Sequence, residues 1–231
     1  MKAFLLAAGH GSRLRPITDN LPKCLVPIRG VPLLEIWLDI CRRAGITDVL
    51  LNVHAHAGMV HAAVQKYQGP VRVRISEEPV LLGSAGTLLA NRDWIELQNE
   101  FWILYGDVLT TADLAAMLRF HRKRQPVATL GVYEVAEPRR CGIVNVNSEG
   151  MIQEFVEKPE NPVSNVAFSG LMIGSGRLLD YIPAKFPADL AFDVLGHIQG
   201  AMLAYHLGCY LIDVGTMETY KTAQATWPGL D

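Results

Sequence analysis

The chain has no apolar run approaching the length of a membrane span. Its opening stretch, MKAFLLAAGHG, is too short for the middle region of a signal peptide before it enters a charged loop. Neither a membrane partner nor export is therefore expected, and the protein is read as cytoplasmic. There is no excess of one charge either. With 21 Lys and Arg against 23 Asp and Glu, the net charge of −2 offers nucleic acid no global basic surface, so any anion must be bound locally. Cysteine is scarce and scattered at positions 24, 41, 141 and 209 without CxxC spacing, which fits reduced structural thiols and not a disulfide framework or a zinc knuckle. Internal repeats, low-complexity tracts and a convincing linker are absent, so residues 1–231, half of them hydrophobic, are expected to form one domain. The pattern G-x-x-x-x-G-K-[ST] is also missing, which excludes a P-loop.

What is present is an alternation of strand and helix. KAFLLAA reads as a buried parallel strand, and a helix follows from Pro32, with Leu33, Leu34, Trp37, Leu38, Cys41 and Ala44 at helical spacing and Gly45 as its cap. TDVLLNV and VRVRI read as strands around a helical MVHAAVQKY, and AGTLLANRDWI as a helix before the buried strand FWILYGD. Four strands with helical crossovers predict a doubly wound α/β sheet. After Asp107 the pattern changes to strands with short turns, PVATLGVYEV, CGIVNVNSEGMIQEFVEKP and VAFSGLMIG, which makes the sheet mixed. SGRLLDYI and DLAFDVLGHIQGAM read as helices, LAYHLGCYLIDVG as one strand, and METYKTAQAT as a closing helix.

Open α/β sheets bind ligands at the carboxyl ends of their strands, so the residues that follow strands are the candidates. In LLAAGHGSRLRPITDNLPK, Gly9 and Gly11 permit positive φ and close approach to backbone N–H groups, while Arg13, Arg15 and Lys23 add fixed positive charge. That combination suits a polyphosphate; a plain strand-to-helix turn is the competing reading. A dinucleotide fingerprint does not fit, because Leu14 stands at the third glycine position and Glu35 lies inside the first helix. Asp107 and Asp213, each ending a strand of the sheet, would suit a hard divalent cation such as magnesium, and otherwise serve as turns or caps. Glu157 and Lys158 end another strand, where lysine suits a phosphate and glutamate suits hydroxyl groups. Gly83 and Gly86 open a helix whose backbone would approach a flat ring or ribose. His54 and His56, which would share one face if their strand continued, are read as polar residues at a strand end.

In order along the chain, LAAGHGSRLRPIT with Pro22 and Lys23, LLGSAGTLL, Gly106-Asp107, Glu157 to Pro159, FSGLMIG and DVGTMETY resemble the signature segments of the sugar-1-phosphate nucleotidylyltransferases. The resemblance spans most of the chain, and six ordered segments are specific where one alone is not. It implies a Rossmann-like nucleotidyltransferase fold and a reaction in which a sugar 1-phosphate attacks the α-phosphate of a nucleoside triphosphate and displaces pyrophosphate. It further implies that Leu6, Ala8, Gly9, Gly11, Ser12, Arg13, Glu78, Gly83, Ser84 and Gly86 bind the nucleotide. Arg13 would neutralise the β- and γ-phosphates, Lys23 would serve the phosphates that exchange partners, and Asp107 and Asp213 would hold Mg2+. Lys158 would position the sugar phosphate, with Glu157 on sugar hydroxyls and Gly142, Ser169 and Gly170 lining that pocket.

SEEPVLLGSAGTLLANRDWI is similar to a segment of mannose- and heptose-1-phosphate guanylyltransferases, which favours GTP. Thymidylyl and uridylyl relatives carry similar segments and remain the alternative. A noncatalytic regulatory subunit would be free to lose Arg13, Lys23, Asp107 or Asp213, and all four are present. Two positions depart from the family's pattern, Leu211 where tryptophan is frequent and Cys141 where an aromatic residue often precedes Gly142. The β-helix domain that many relatives append is not expected after the closing helix, and a homo-oligomer is compatible with the pattern.

Overall fold

A computed structural model of the protein describes residues 1–95 and 100–230. In chain order the strands are β1 (Lys2–Leu6), β2 (Pro27–Ile28), β3 (Val31–Pro32), β4 (Asp48–Val53), β5 (Arg72–Glu77), β6 (Phe101–Tyr105), β7 (Val108–Thr110), β8 (Ala128–Glu134), β9 (Gly142–Val146), β10 (Ile152–Glu157), β11 (Val166–Gly174), β12 (Met202–His206) and β13 (Leu211–Asp213). The α-helices are α1 (Leu33–Arg43), α2 (Ala57–Lys66), α3 (Ser84–Ala90), α4 (Leu114–Arg124), α5 (Leu190–Asp193) and α6 (Met217–Thr226). The class is a mixed, mostly parallel α/β fold flanked by helices, as the alternation predicts. Among the described residues no helix is long and apolar enough to cross a membrane.

Two compact units arise from interleaved segments of the chain, the first from Met1–Leu81, Leu104–Asp113 and Cys209–Asp231. Its β1, β4 and β5 are parallel neighbours, with Leu5 opposite Leu51 and Leu51 opposite Ile75. Ala3, Phe4 and Leu5 are buried in succession along β1, which is what a strand covered on both faces requires. β5 is an edge strand whose exposed Arg72 and Arg74 blunt it against further pairing, Arg72 gripping Asp48 with two hydrogen bonds of 2.7 Å. α1 buries Leu33, Leu34, Trp37, Leu38 and Cys41 as its spacing predicts, and Gly45, at φ +72°, ends it.

The second unit comprises Leu82–Ile103 and Leu114–Gly208. β8 pairs in parallel with β12 and antiparallel with β11, and β9 and β10 form the expected hairpin, its turn held by Asn147 Oδ1 accepting the N–H groups of Glu149 and Met151. The β11 register shifts between Phe168 and Met172, a bulge that contains Ser169 and Gly170.

Several elements differ from the sequence expectation. LAYHLGCYLIDVG is two strands, β12 and β13, and β13 pairs antiparallel with β7 in a separate two-stranded ribbon. Asp213 therefore ends a strand, but one outside the main sheet. SGRLLDYI folds as a 3-10 run over Gly176–Tyr181, and DLAFDVLGHIQGAM is cut to α5 and a 3-10 turn at Leu195–His197. α3 stops at Ala90, short of the expected Ile95. α4 and β7 were not foreshadowed: α4 buries only Leu114, Met117 and His121, too sparse an apolar face to read as a helix.

Candidate functional site

In the first unit, the chain leaving β1 is held by Asn52, whose Oδ1 accepts the Ala7 N–H at 2.7 Å. It then runs through Gly9, His10 and Gly11 into a 3-10 turn at Ser12–Leu14. Gly11 is left-handed at φ +64°, and a Cβ there would stand 2.9 Å from Thr18 Cγ2, so the position requires glycine on two counts. The Gly11 carbonyl accepts from Leu14 N at 2.9 Å and from Thr18 Oγ1 at 2.7 Å, which pins the loop from behind. A Cβ on Gly9 would meet nothing within 4 Å. That open space belongs to a cavity of about 310 Å³ lined by Leu6, Gly9, Gly11, Ser12, Arg13, Lys23 and Asp107, together with His10, Cys24 and Gly215. Arg15 does not join it; the guanidinium is exposed and pairs with Asp19 at 3.1 Å. Ala8 is buried and is not among the lining residues.

Backbone pairing brings the two aspartates together. Gly106, just past β6, donates to Leu6 O at 2.9 Å, which sets Asp107 beside the loop. In the ribbon, Asp213 lies opposite Val108 and Val214 N donates to Asp107 O at 2.8 Å. Lys23 Nζ donates to Asp107 Oδ2 at 2.7 Å and lies 3.9 Å from Asp213 Oδ1. The Arg13 guanidinium closes the cluster, its Nη2 standing 3.2 Å from where a Cβ on Gly215 would be. Among the described residues no group of three or more His, Cys, Asp and Glu could hold a metal ion. Two carboxylates with phosphate oxygens completing the shell is the donor set that magnesium takes, so these residues fit a hard divalent cation. Burial pushes the Cys24 thiol up to about 12, which leaves it an inert lining group beside Lys23.

Behind the loop runs a polar string of Glu78 and His54, both singled out from the sequence, and Asn52, which was not. Asn52 Nδ2 donates to Glu78 Oε1 at 3.0 Å, and His54 Nδ1 donates to Glu78 O at 2.7 Å. The His10 ring stands edge-on to His54 at 5.1 Å. Glu78, 2% exposed, thus reaches the loop through Asn52. The signal for Asn52 was available: it is a lone polar residue at the end of the apolar run VLL. β4 ends at Val53 and His56, at φ +56°, starts α2, so His54 and His56 do not share a strand face.

The second unit gathers the other candidates. Glu157 ends β10, and burial raises its carboxyl above the usual range, partly offset by Lys158. Gly142 is where Glu157 needs space, since a Cβ would lie 2.7 Å from Oε2. Lys158 is left-handed at φ +51°, donates its N–H to Cys141 O at 3.0 Å, and holds Nζ 3.5 Å from Glu157 Oε1 and 5.5 Å from the Phe192 ring centroid. Ser169, 4% exposed, accepts the Leu171 N–H at 3.2 Å within the bulge, and Gly170 follows at φ +83°.

At the start of α3 the N–H groups of Ala85 and Gly86 both donate to Ala188 O at 3.0 Å, and the Ser84 hydroxyl donates to Asp189 Oδ2 at 2.8 Å. Those groups are engaged inside the unit. Gly83, just ahead of them, packs against the same residue, since a Cβ there would stand 2.2 Å from Ala188 O, so the expectation of a helix start open to a flat ring is not met at these groups. Asp189 and Phe192 were not foreshadowed, because only folding places them beside Lys158 and Glu157.

A glycine loop with two cations, beside a carboxylate pair of which Asp107 follows a strand of the main sheet and Asp213 ends a ribbon strand, is a charge arrangement that suits phosphate anions on an α/β fold. The pattern of the nucleotidyl transferase family matches residues 2–227, and the chain belongs to that family. It is 34% identical to mannose-1-phosphate guanyltransferase beta-B of Xenopus laevis over 98% of its own length, and 34% identical to mannose-1-phosphate guanyltransferase of Schizosaccharomyces pombe over 96%. The chain spans 64% and 63% of those relatives. A Bacillus anthracis protein assigned as a glucose-1-phosphate thymidylyltransferase, solved with a sucrose, has the same fold: TM-score 0.87 at 24% identity, covering 97% of this chain and 94% of that one.

Proposed function

We propose that the chain transfers a nucleotidyl group from a nucleoside triphosphate to a sugar 1-phosphate. A phosphate oxygen of the sugar phosphate attacks the α-phosphorus, the bond to the β-phosphate oxygen breaks, and pyrophosphate leaves. The observation that carries this reading is the cavity in which the Gly9–Arg13 loop, Lys23 and Asp107 converge. Loop N–H groups and Arg13 neutralise the β- and γ-phosphates, and Lys23 serves the phosphates that exchange partners. Asp107 and Asp213 hold Mg2+, which when bound supplies charge stabilisation to the phosphates. Lys158 positions the sugar phosphate and Glu157 accepts from sugar hydroxyls. Positioning and neutralisation suffice, because the reaction asks no covalent step of the protein. GTP and a manno-configured hexose or heptose 1-phosphate are favoured, since two relatives are named as mannose-1-phosphate guanyltransferases. Thymidylyl or uridylyl transfer is the second reading, motivated by the fold shared with a protein assigned as a thymidylyltransferase.

A matrix of nucleoside triphosphates against sugar 1-phosphates, scored by pyrophosphate release, tests both. GTP with mannose 1-phosphate is expected to exceed dTTP with glucose 1-phosphate by at least about tenfold in kcat/KM, the ratio that one unpaired buried polar group imposes. Asp107→Asn or Asp213→Asn is expected to lower turnover on the order of a hundredfold. Full activity in EDTA would remove the metal from the scheme, and equal turnover of dTTP would overturn the guanine assignment alone.

A further inference from the structure

Lys23 is the least exposed charge of its cluster, its side chain 11% exposed against 34% for Asp107 and 52% for Asp213. Its ammonium lies 2.7 Å from one carboxylate and 3.9 Å from the other, on the ground a cation shared by both would take. Paired carboxylates repel each other unless a positive charge stands near both, and here the chain supplies that charge itself. We infer that Lys23 is an internal stand-in for the divalent cation: it neutralises Asp107 and Asp213 while they hold no metal, and it withdraws when metal binds. This rests on the reading that the two aspartates are the metal site.

The displacement follows from size and charge. Magnesium takes carboxylate oxygens at roughly 2.0–2.1 Å, which leaves no room for an ammonium in contact with the same oxygens, and a dication repels the ammonium in any case. Lysine has the four-carbon stem needed to swing away without moving the backbone. The cavity it lines gives it somewhere to go, because triphosphate oxygens would accept the hydrogen bonds that Asp107 gives up. Metal and nucleotide are thereby coupled: each favours the state in which Lys23 has left the aspartates, and the coupling is reciprocal. A site whose competent state is only partly populated binds with reduced apparent affinity, so removing Lys23 raises metal affinity even as it removes a group the reaction needs.

The test is a titration with Mn2+ alone on nucleotide-free protein, following the free ion by electron paramagnetic resonance. Lys23→Met is expected to bind Mn2+ at least about tenfold more tightly than wild type, while losing turnover. Its metal-free Tm should fall, and saturating Mn2+ should raise that Tm by more than it raises the wild type's. Lys23→Arg, which keeps the charge, should bind no tighter than wild type, and Lys23→Gln repeats the neutral test if the methionine variant does not fold. Equal or weaker Mn2+ binding by the neutral variant overturns the stand-in and leaves the metal site in place. If neither wild type nor the neutral variant binds Mn2+ and Asp107→Asn changes nothing, the metal site falls and the stand-in falls with it.

Discussion

Lys158 sits on a backbone that lysine seldom adopts, at φ +51°, a conformation worth about 1–3 kcal/mol of strain that its surroundings must offset. The N–H bond to Cys141 O and the ammonium's place between Glu157 and Phe192 are what hold it. Two outcomes follow. Lys158→Ala should raise KM for the sugar 1-phosphate at least about tenfold with little change in kcat, since it removes binding that is uniform between ground and transition states. Lys158→Gly should do the same to KM yet melt higher than the alanine variant, by about 1 kcal/mol of unfolding free energy, because glycine accepts this φ freely. An unchanged KM would take the lysine out of the sugar-phosphate site, and an alanine variant as stable as the glycine one would show that φ carries no strain. At this scale the sequence disclosed the groups whose chemistry is local. Gly9, Gly11, Arg13 and Lys23 lie within one stretch, and Gly11 must be glycine for a reason internal to that stretch. Asn52, Asp189 and Phe192 escaped because their roles arise from pairing with distant segments.

Among the elements, α3 begins where Gly83, at φ +79°, runs so close to Ala188 that a Cβ would stand 2.2 Å from its carbonyl oxygen. That same oxygen receives the Ala85 and Gly86 N–H groups, so a shift at 83 also unpairs the first turn of the helix. Gly83→Ala is expected to destabilise by at least about 2 kcal/mol in urea unfolding, from backbone strain and the lost cap together. A loss below about 0.5 kcal/mol, the range of a neutral surface change, would mean that the contact yields easily. α1 was legible because its apolar residues, its proline start and its glycine stop all agree. α5 and the 3-10 turn after it were not, since a four-residue helix capped by Asp189 gives no room for periodicity to build. The division of LAYHLGCYLIDVG was marked only by Gly208, and nothing local tells β13 to pair with β7 in place of the main sheet.

For the molecule as a whole, stability should depend on pH through a group the reaction does not use. His121, 3% exposed on α4, bonds Thr129 Oγ1 through Nδ1 at 2.8 Å, and burial lowers its pKa, with Glu100 opposing and Arg122 reinforcing the shift. Above the ordinary histidine value of about 6.5 both folded and unfolded chains hold it neutral, and it contributes no pH dependence. Below that value the unfolded chain takes up a proton that the folded one refuses, so stability falls by at most about 1.4 kcal/mol per pH unit until the folded pKa is passed. His121→Gln, which keeps a polar partner for Thr129, should flatten the decline that sets in below about pH 6.5; identical slopes for the two proteins would assign it to other groups. The interleaving of the two units also sets an order on biosynthesis. A ribosome that has released residue 208 has supplied every segment of the second unit, whereas the first still waits for Cys209 onward. Until β13 and α6 emerge, β7 lacks its ribbon partner and Asp107 lacks Asp213, so the nascent chain passes through a stage at which its Gly9–Arg13 loop has been synthesised and its carboxylate pair has not.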